Sequence, residues 1–112
     1  MVRVKVLRRS DGWPLSVEIS GHALFGSYGN DIVCAAVSML VQTIIFAAED
    51  LLKTDPGALI QEGYVHLAPP ANVEPEKREK LLLLVETMLL GLKETKNAYP
   101  DYIEYLEDVL PE

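Results

Sequence analysis

Hydrophobic and polar residues alternate in two short runs near the start of the chain. Every second residue is a valine between positions 2 and 6, and every second residue is aliphatic between positions 15 and 19. A period of two is typical of a strand with one buried face. The run Ser10-Asp11-Gly12 between them is a turn signal. The pattern therefore predicts a β-hairpin at the N-terminus.

Two longer segments have the composition and spacing of helices. The first begins after a glycine-rich loop, with Asn30 as the expected N-cap and Asp31 in the first turn, and ends near Leu52. The second opens at Pro75, a residue favoured in the first turn of a helix. Its apolar side chains recur at helical spacing and predict one buried face: Leu81, Leu84, Val85, Met88, Leu89 and Leu92.

The remaining segments complete the expected fold. Gly63 to Ala68 reads as a short strand, and the segment 101–110 fits either a strand or a helix, with a strand preferred. The predicted order is ββαβαβ. We expect an α+β fold, a small sheet of about four strands with two long helices, forming a single domain over residues 1–112.

Composition narrows the possible partners. The chain has 112 residues, 49% of them hydrophobic, which suits one modest core. Its net charge is −7 and its pI is near 4.8. Proteins that bind nucleic acid usually carry a basic patch, so we expect no direct nucleic-acid contact. An acidic surface instead favours a basic protein or peptide.

Compartment is inferred from the apolar runs and the single thiol. The most apolar stretch, 32–48, is interrupted by Ser38, Gln42 and Thr43, so no membrane span is expected. The N-terminus lacks the pattern of a signal peptide. Because Cys34 has no second cysteine to pair with, a reducing, cytoplasmic setting is expected.

One face of the first helix is polar. Five side chains fall within roughly 80° of one another on a helical projection: Asp31, Cys34, Ser38, Gln42 and Glu49. The other positions are almost all apolar, so this helix must be buried on several sides. The polar stripe is then the wall of a cleft. Either the second helix or another copy of the chain covers the remaining apolar surface, and we expect a homodimer.

Cys34 and His22 are the candidate catalytic pair. Free N–H groups and the dipole at the helix start favour a thiolate and can stabilise an oxyanion. Asp31 one turn earlier opposes the thiolate, which makes a cationic His22 partner more necessary.

Structural explanations remain open beside the catalytic one. A lone cysteine in an apolar helix is often core filler, Asp31 is explained by the first helical turn, and Ser38 by packing. His66, between two apolar strand residues, is expected to be structural. Metal ligation is not expected, since the His, Cys and Asp spacing matches no zinc motif. No phosphate loop or dinucleotide fingerprint occurs, so no cofactor is predicted.

The run from Gly21 to Ser38 closely resembles the signature of the ribosomal-processing cysteine protease family, Prp. It reads Gly-His-Ala-x-x-Gly-x-x-Gly-x-Asp-Ile-Val-Cys-Ala-Ala-x-Ser. The resemblance implies a catalytic dyad of His22 and Cys34, with Asp31 and Ser38 in the active-site pocket. It also implies a dimer and a fold of helices against a small sheet.

The resemblance further implies a substrate. Members of the family remove a short, aromatic-rich N-terminal extension from the twenty-seventh protein of the large ribosomal subunit, a basic protein. The glycine-rich loop before the helix is expected to close over that peptide, with these substrate-loop candidates: Gly21, Phe25, Gly26, Tyr28 and Gly29. The alternatives are a non-enzymatic ribosome-assembly or protein-binding module, and a thiol hydrolase or acyltransferase acting on a small metabolite.

Overall fold

The computed structural model describes residues 1–23, 26 and 31–111 of the chain. Five strands and two helices follow one another along it, the first helix ending in a π-helical turn. They are β1 (Val2–Arg8), β2 (Pro14–Ser20), α1 (Ile32–Phe46), the π-helical turn (Ala47–Leu51), β3 (Ala58–Gln61), β4 (Tyr64–Leu67), α2 (Pro75–Ala98) and β5 (Ile103–Val109).

The strands form one mixed sheet in the order β3-β4-β2-β1-β5. The predicted hairpin is present, with Val4 opposite Ile19 in an antiparallel ladder. β5 joins the other side of β1 in parallel, which places Ile103 beside Val2. Because alternate β1 residues are buried with the apolar faces of α1 and α2, both helices lie on the same side of the sheet.

The α+β fold of one small sheet and two helices is confirmed, but the sheet has five strands rather than about four. The additional strand is β3, which pairs with β4 across the turn Glu62-Gly63. Only one of its four residues is even partly buried, so it lacks the alternating pattern that reveals a strand. The preference for a strand in segment 101–110 is confirmed by β5.

The start of α1 differs from the prediction by one residue. Asp31, rather than Asn30, is the N-cap, and its side-chain oxygen accepts hydrogen bonds from the backbone N–H groups of Val33 and Cys34. A carboxylate in this position satisfies donors that have no partner inside the helix. Asn30 itself lies outside the described residues.

The core is a layer of aliphatic side chains between the sheet and the helices. β1 and β2 contribute valines and Ile19, α1 contributes Val33, Val37 and Val41, and α2 contributes the predicted face. On that face all the predicted positions are buried except Leu84, which is partly exposed. α2 covers the β5 side of the sheet and packs against α1. Toward the other edge of the same face, α1 forms one wall of a cleft with β2 and β4.

The helical run Ile32–Leu51 has 20 residues and a mean hydropathy of 2.0, so by length and composition it is apolar enough to cross a membrane. This is weak evidence, because the core helix of a soluble protein has the same length and composition. The polar residues Ser38, Gln42 and Thr43 interrupt the run but leave it apolar on average. The absence of a membrane span therefore stays a prediction.

Candidate active site

A cavity of about 150 Å³ lies between α1 and the inner face of the sheet. Cys34, Ser38 and Gln42, three members of the predicted polar stripe, line it from the helix side. The sheet contributes an apolar floor made of Val2, Ile19, Ile60 and Val65. Gly21 and His22, which follow directly after β2, also line the cavity. The structure thus brings the two candidate catalytic residues into one cleft.

The thiol of Cys34 is partly exposed and is hydrogen-bonded by the backbone. Cys34 is a free cysteine of intermediate exposure. Its Sγ accepts a hydrogen bond from the backbone N–H of Ala23, with 3.1 Å between nitrogen and sulfur. Ala23 is itself buried, so this donor is held in place by the core. A partly exposed cysteine in a cleft is reachable by a substrate, and the backbone donor fixes the position of its sulfur.

The imidazole of His22 is seated against a turn that the sequence analysis did not single out. The N–H of Gly21 donates a hydrogen bond of 2.9 Å to the carbonyl of Gly63, in the β3–β4 turn. A Cβ atom placed on Gly63 would lie 3.0 Å from His22 Nε2. Gly63 has a positive φ of 66° and lies in the turn before β4, whereas the sequence pattern placed it in the strand itself. Its position beside a histidine 41 residues earlier gives no local pattern from which it could be predicted.

The N–H groups at the start of α1 are occupied, which corrects the idea that they are free to stabilise an oxyanion. The N–H groups of Val33 and Cys34 each donate to Asp31 Oδ1 over 3.0 Å. The N–H of Ala35 donates to the Asp31 carbonyl, also over 3.0 Å. Asp31 therefore binds backbone amides of the first helical turn, including that of Cys34. It is not among the residues that line the cavity.

Of the other residues considered in the sequence analysis, some line the cavity and others do not. Ser38 lines the cavity as expected, whereas Glu49 is exposed in the π-helical turn, away from the cavity lining. His66 pairs with Glu18 inside the sheet and does not line the cavity. Of the substrate-loop candidates, Gly21 lines the cavity and Gly26 is exposed. The other three, Phe25, Tyr28 and Gly29, lie outside the described residues.

Within residues 1–23, 26 and 31–111, no group of three or more His, Cys, Asp or Glu side chains is arranged to hold a metal ion. The polar side chains that line the described part of the cavity are those of Cys34, His22, Ser38, Gln42, Gln61 and Tyr64. This set suits nucleophilic and acid–base chemistry, with the thiol as the attacking group.

Comparison with known proteins places this site in a family. A sequence model of the cysteine protease Prp family matches residues 1–104. The ribosomal processing cysteine protease Prp of Bacillus subtilis (strain 168) is 32% identical over 112 residues, covering 98% of this chain and 100% of that protein.

Two crystal structures of the Prp protease from S. aureus share the fold. The complex with a covalently linked product peptide superposes with a TM-score of 0.83 at 27% identity, covering 96% of this chain and 99% of that chain. The complex with a substrate peptide has a TM-score of 0.78 at 25% identity, with the same coverage of both chains.

Fold, cleft and relatives together define a cysteine protease. The chain belongs to the cysteine protease Prp family.

Proposed function

We propose that this protein is an endopeptidase that removes the N-terminal extension of the twenty-seventh protein of the large ribosomal subunit. Cys34 is the nucleophile, and His22 is the general base and then the general acid. The observation that carries the proposal is the position of Cys34 Sγ. It lies in the same cleft as His22, is partly exposed, and accepts the N–H of Ala23 over 3.1 Å.

The first half of the reaction forms a covalent acyl-enzyme. His22 accepts the thiol proton of Cys34, and the thiolate adds to the scissile carbonyl carbon, moving the electron pair onto the carbonyl oxygen. When the tetrahedral intermediate collapses, the C–N bond breaks and His22 donates its proton to the leaving amine. The new N-terminus of the mature protein departs, and its former extension stays attached to sulfur as a thioester.

The second half regenerates the enzyme. A water molecule, deprotonated by His22, adds to the thioester carbonyl, and the C–S bond then breaks. The extension leaves as a carboxylic acid, and the thiol of Cys34 recovers its proton from His22. Neither half requires a metal or an organic cofactor in this scheme.

The backbone N–H of Ala23 supports the developing negative charge. Because the N–H groups of Val33, Cys34 and Ala35 are bound to Asp31, the start of α1 has few donors left for an oxyanion. The Ala23 N–H instead donates to the sulfur of Cys34. As charge moves from sulfur to the adjacent carbonyl oxygen, a donor already fixed at this distance serves both atoms without reorganisation.

The cleft and the overall charge suit the proposed substrate. The apolar floor of the cleft includes Ile60, which is about half exposed at the edge strand β3. This floor offers a surface for the aromatic residues of the extension. The net charge of −7 attracts a basic ribosomal protein over long range. A basic peptide with aromatic residues is therefore favoured over a small neutral metabolite.

The exposed apolar residues support the proposed homodimer. On α1, Ile32, Met39 and Phe46 recur every seven residues, and on α2 the same spacing joins Leu83 to Leu90. Each is more than half exposed. Seven-residue spacing places side chains on one stripe of a helix, so each helix carries exposed apolar side chains along one stripe. A second copy of the chain, acting in the cytoplasm, is the proposed occupant.

The deciding experiment incubates the protein with the unprocessed ribosomal protein and measures the product mass. Wild-type enzyme is expected to shorten the precursor, while Cys34→Ala, Cys34→Ser and His22→Ala lose nearly all turnover. His66→Ala is the matched control, since His66 is the other histidine and does not line the cavity. Unchanged precursor binding without cleavage by any form would instead support a non-enzymatic binding module. Hydrolysis of a small thioester with no action on the precursor would support the metabolite enzyme.

A further inference from the structure

We infer that Gly63, in the turn between β3 and β4, is a positioning residue that holds the His22 imidazole in its working orientation. The inference rests on the proposed role of His22 as general base. It adds a residue from a different part of the chain to the machinery, 41 positions after the histidine that it supports.

The space that a side chain on Gly63 would fill borders the His22 ring. A Cβ atom built on Gly63 would lie 3.0 Å from His22 Nε2, 3.5 Å from Cε1 and 3.8 Å from Cδ2. All three atoms belong to the imidazole ring, so the ring rests on the space that a side chain at position 63 would fill. Glycine is what allows the ring to approach the backbone of the turn.

A backbone hydrogen bond couples the same two segments. The N–H of Gly21 donates to the carbonyl of Gly63 over 2.9 Å, so the residue before His22 is tied to the turn that supports its ring. Both Gly63 and His22 line the cavity that contains Cys34. The turn therefore binds the backbone of the residue before His22 and also lies beside the imidazole ring.

The other glycines show that this contact is not a general property of turns. Gly12 also has a positive φ, of 93°, but nothing lies within 4 Å of its added Cβ. Gly57 has a positive φ of 72° and faces the backbone of Ala68. Among the glycines with positive φ in the described residues, Gly63 is the one whose missing side chain makes room for an imidazole.

Two substitutions separate backbone strain from displacement of the ring. Gly63→Ala adds a Cβ and strains the positive φ. Gly63→Asn adds the same Cβ but tolerates the left-handed region better. Gly12→Ala is the matched control, because it strains a positive φ without touching His22. Both Gly63 variants are expected to lower kcat about a hundredfold, the effect of misplacing a catalytic group by about 1 Å, with KM changing less than about twofold.

The decisive readout is the rate at which iodoacetamide alkylates Cys34, measured across pH in four forms of the protein. These are the wild type, Gly63→Asn, His22→Ala, and the double variant. If Gly63 acts through His22, Gly63→Asn changes the pH profile of the wild type but changes nothing further once His22 is alanine. Thermal melting of each form, compared with Gly12→Ala, shows that the comparison is made between folded proteins.

Each outcome bears on one claim at a time. A Gly63→Asn variant with the wild-type alkylation profile and kcat overturns the positioning role and leaves the proposed protease intact. Equal effects of Gly63→Asn with and without His22 also overturn it, because the glycine then acts on the fold. If wild-type protein does not cleave the precursor, the proposed function fails, and alkylation still tests the coupling of Gly63 to His22.

Discussion

Asp31 and Cys34 are joined through the backbone: the Asp31 carboxylate accepts the N–H of Cys34 over 3.0 Å. The same oxygen accepts the N–H of Val33. The charge that the sequence analysis treated as opposing a thiolate is thus directed at the amides that begin α1. The Asp31 carboxylate therefore fixes the backbone that carries Cys34.

Substitution of Asp31 separates capping from charge. Asparagine is a comparably good N-cap, so Asp31→Asn is expected to keep both thermal stability and most peptidase activity. Asp31→Ala loses the cap, at about 0.5–2 kcal/mol of unfolding free energy, and misplaces Cys34. Denaturant unfolding and kcat for both variants check this. A stable Asp31→Asn protein without turnover would show that the negative charge is required, for example to orient His22.

Filling the cavity from the helix side is expected to weaken substrate binding. Ser38→Leu places a larger apolar group in the cleft beside Cys34, because Ser38 lines the cavity. A decrease in kcat/KM of about tenfold or more is expected, in line with the effect of small volume changes in specificity pockets. Thr43→Leu on the exposed side of the same helix is the control. Equal kinetics in the two variants would place the substrate elsewhere.

The apolar stripes on the helices predict a mutation that separates the protomers. Leu90 is 60% exposed on α2, and Leu90→Glu puts a charge into the proposed dimer surface at little cost to the monomer. Sedimentation velocity is expected to show a dimer for wild type and a monomer for the variant. Leu106→Glu, on the edge strand β5, is expected to leave the dimer intact. A monomeric wild type at micromolar concentration would contradict the proposal.

Two leucines two positions apart on α2 test the core. Leu81 is fully buried, whereas Leu83 is 68% exposed. Leu81→Ala is expected to lower the unfolding free energy by about 2–5 kcal/mol, the range for deleting a buried leucine side chain. Leu83→Ala is expected to change it by less than about 0.5 kcal/mol. Urea titration at protein concentrations too low for association measures both. Similar losses in the two variants would contradict the packing described for α2.

Acid titration of the first turn has a predicted midpoint. Hydrogen bonds to Asp11 from the Arg9 guanidinium and from the Trp13 N–H lower the pKa of its carboxyl from 3.8 to about 2. Since the folded-state pKa is the lower one, the stabilisation is present above pH 3.8 and is lost as pH falls toward 2. Carbon-detected NMR titration of the Asp11 carboxyl measures the midpoint directly. An Arg9→Gln variant is expected to raise it, and a midpoint near 3.8 in the wild type would contradict the ion pair.

The hairpin and both helices follow from local signals, whereas the pattern of the C-terminal segment fitted both a strand and a helix. Alternation in β1 and β2 and the proline at the start of α2 act over a few residues, so sequence alone reveals them. β3 was not predicted, because its apolar residues Leu59 and Ile60 are adjacent and both are half exposed. β3 is stabilised mainly by pairing with β4. The sequence pattern of a single strand does not show which strand it pairs with.

The site shows the same division. The polar stripe on α1 predicted that Cys34, Ser38 and Gln42 would share a cleft, because helical periodicity fixes their common face. The contacts of Ala23 with the sulfur and of Gly63 with His22 depend on how separate segments meet. Ala23 acts through its backbone and Gly63 through the lack of a side chain. Neither role can therefore be predicted from the chemistry of the side chain.

The parallel pairing of β1 with β5 has a consequence for when the enzyme becomes active. Val2, which forms part of the cavity floor, is paired with Ile103, about a hundred residues later in the chain. Contacts of such long sequence separation form late, since the loop between them must close first. During translation the floor of the cleft stays incomplete until the β5 segment has emerged from the ribosome. The cleft is therefore complete only when nearly the whole chain is available to fold.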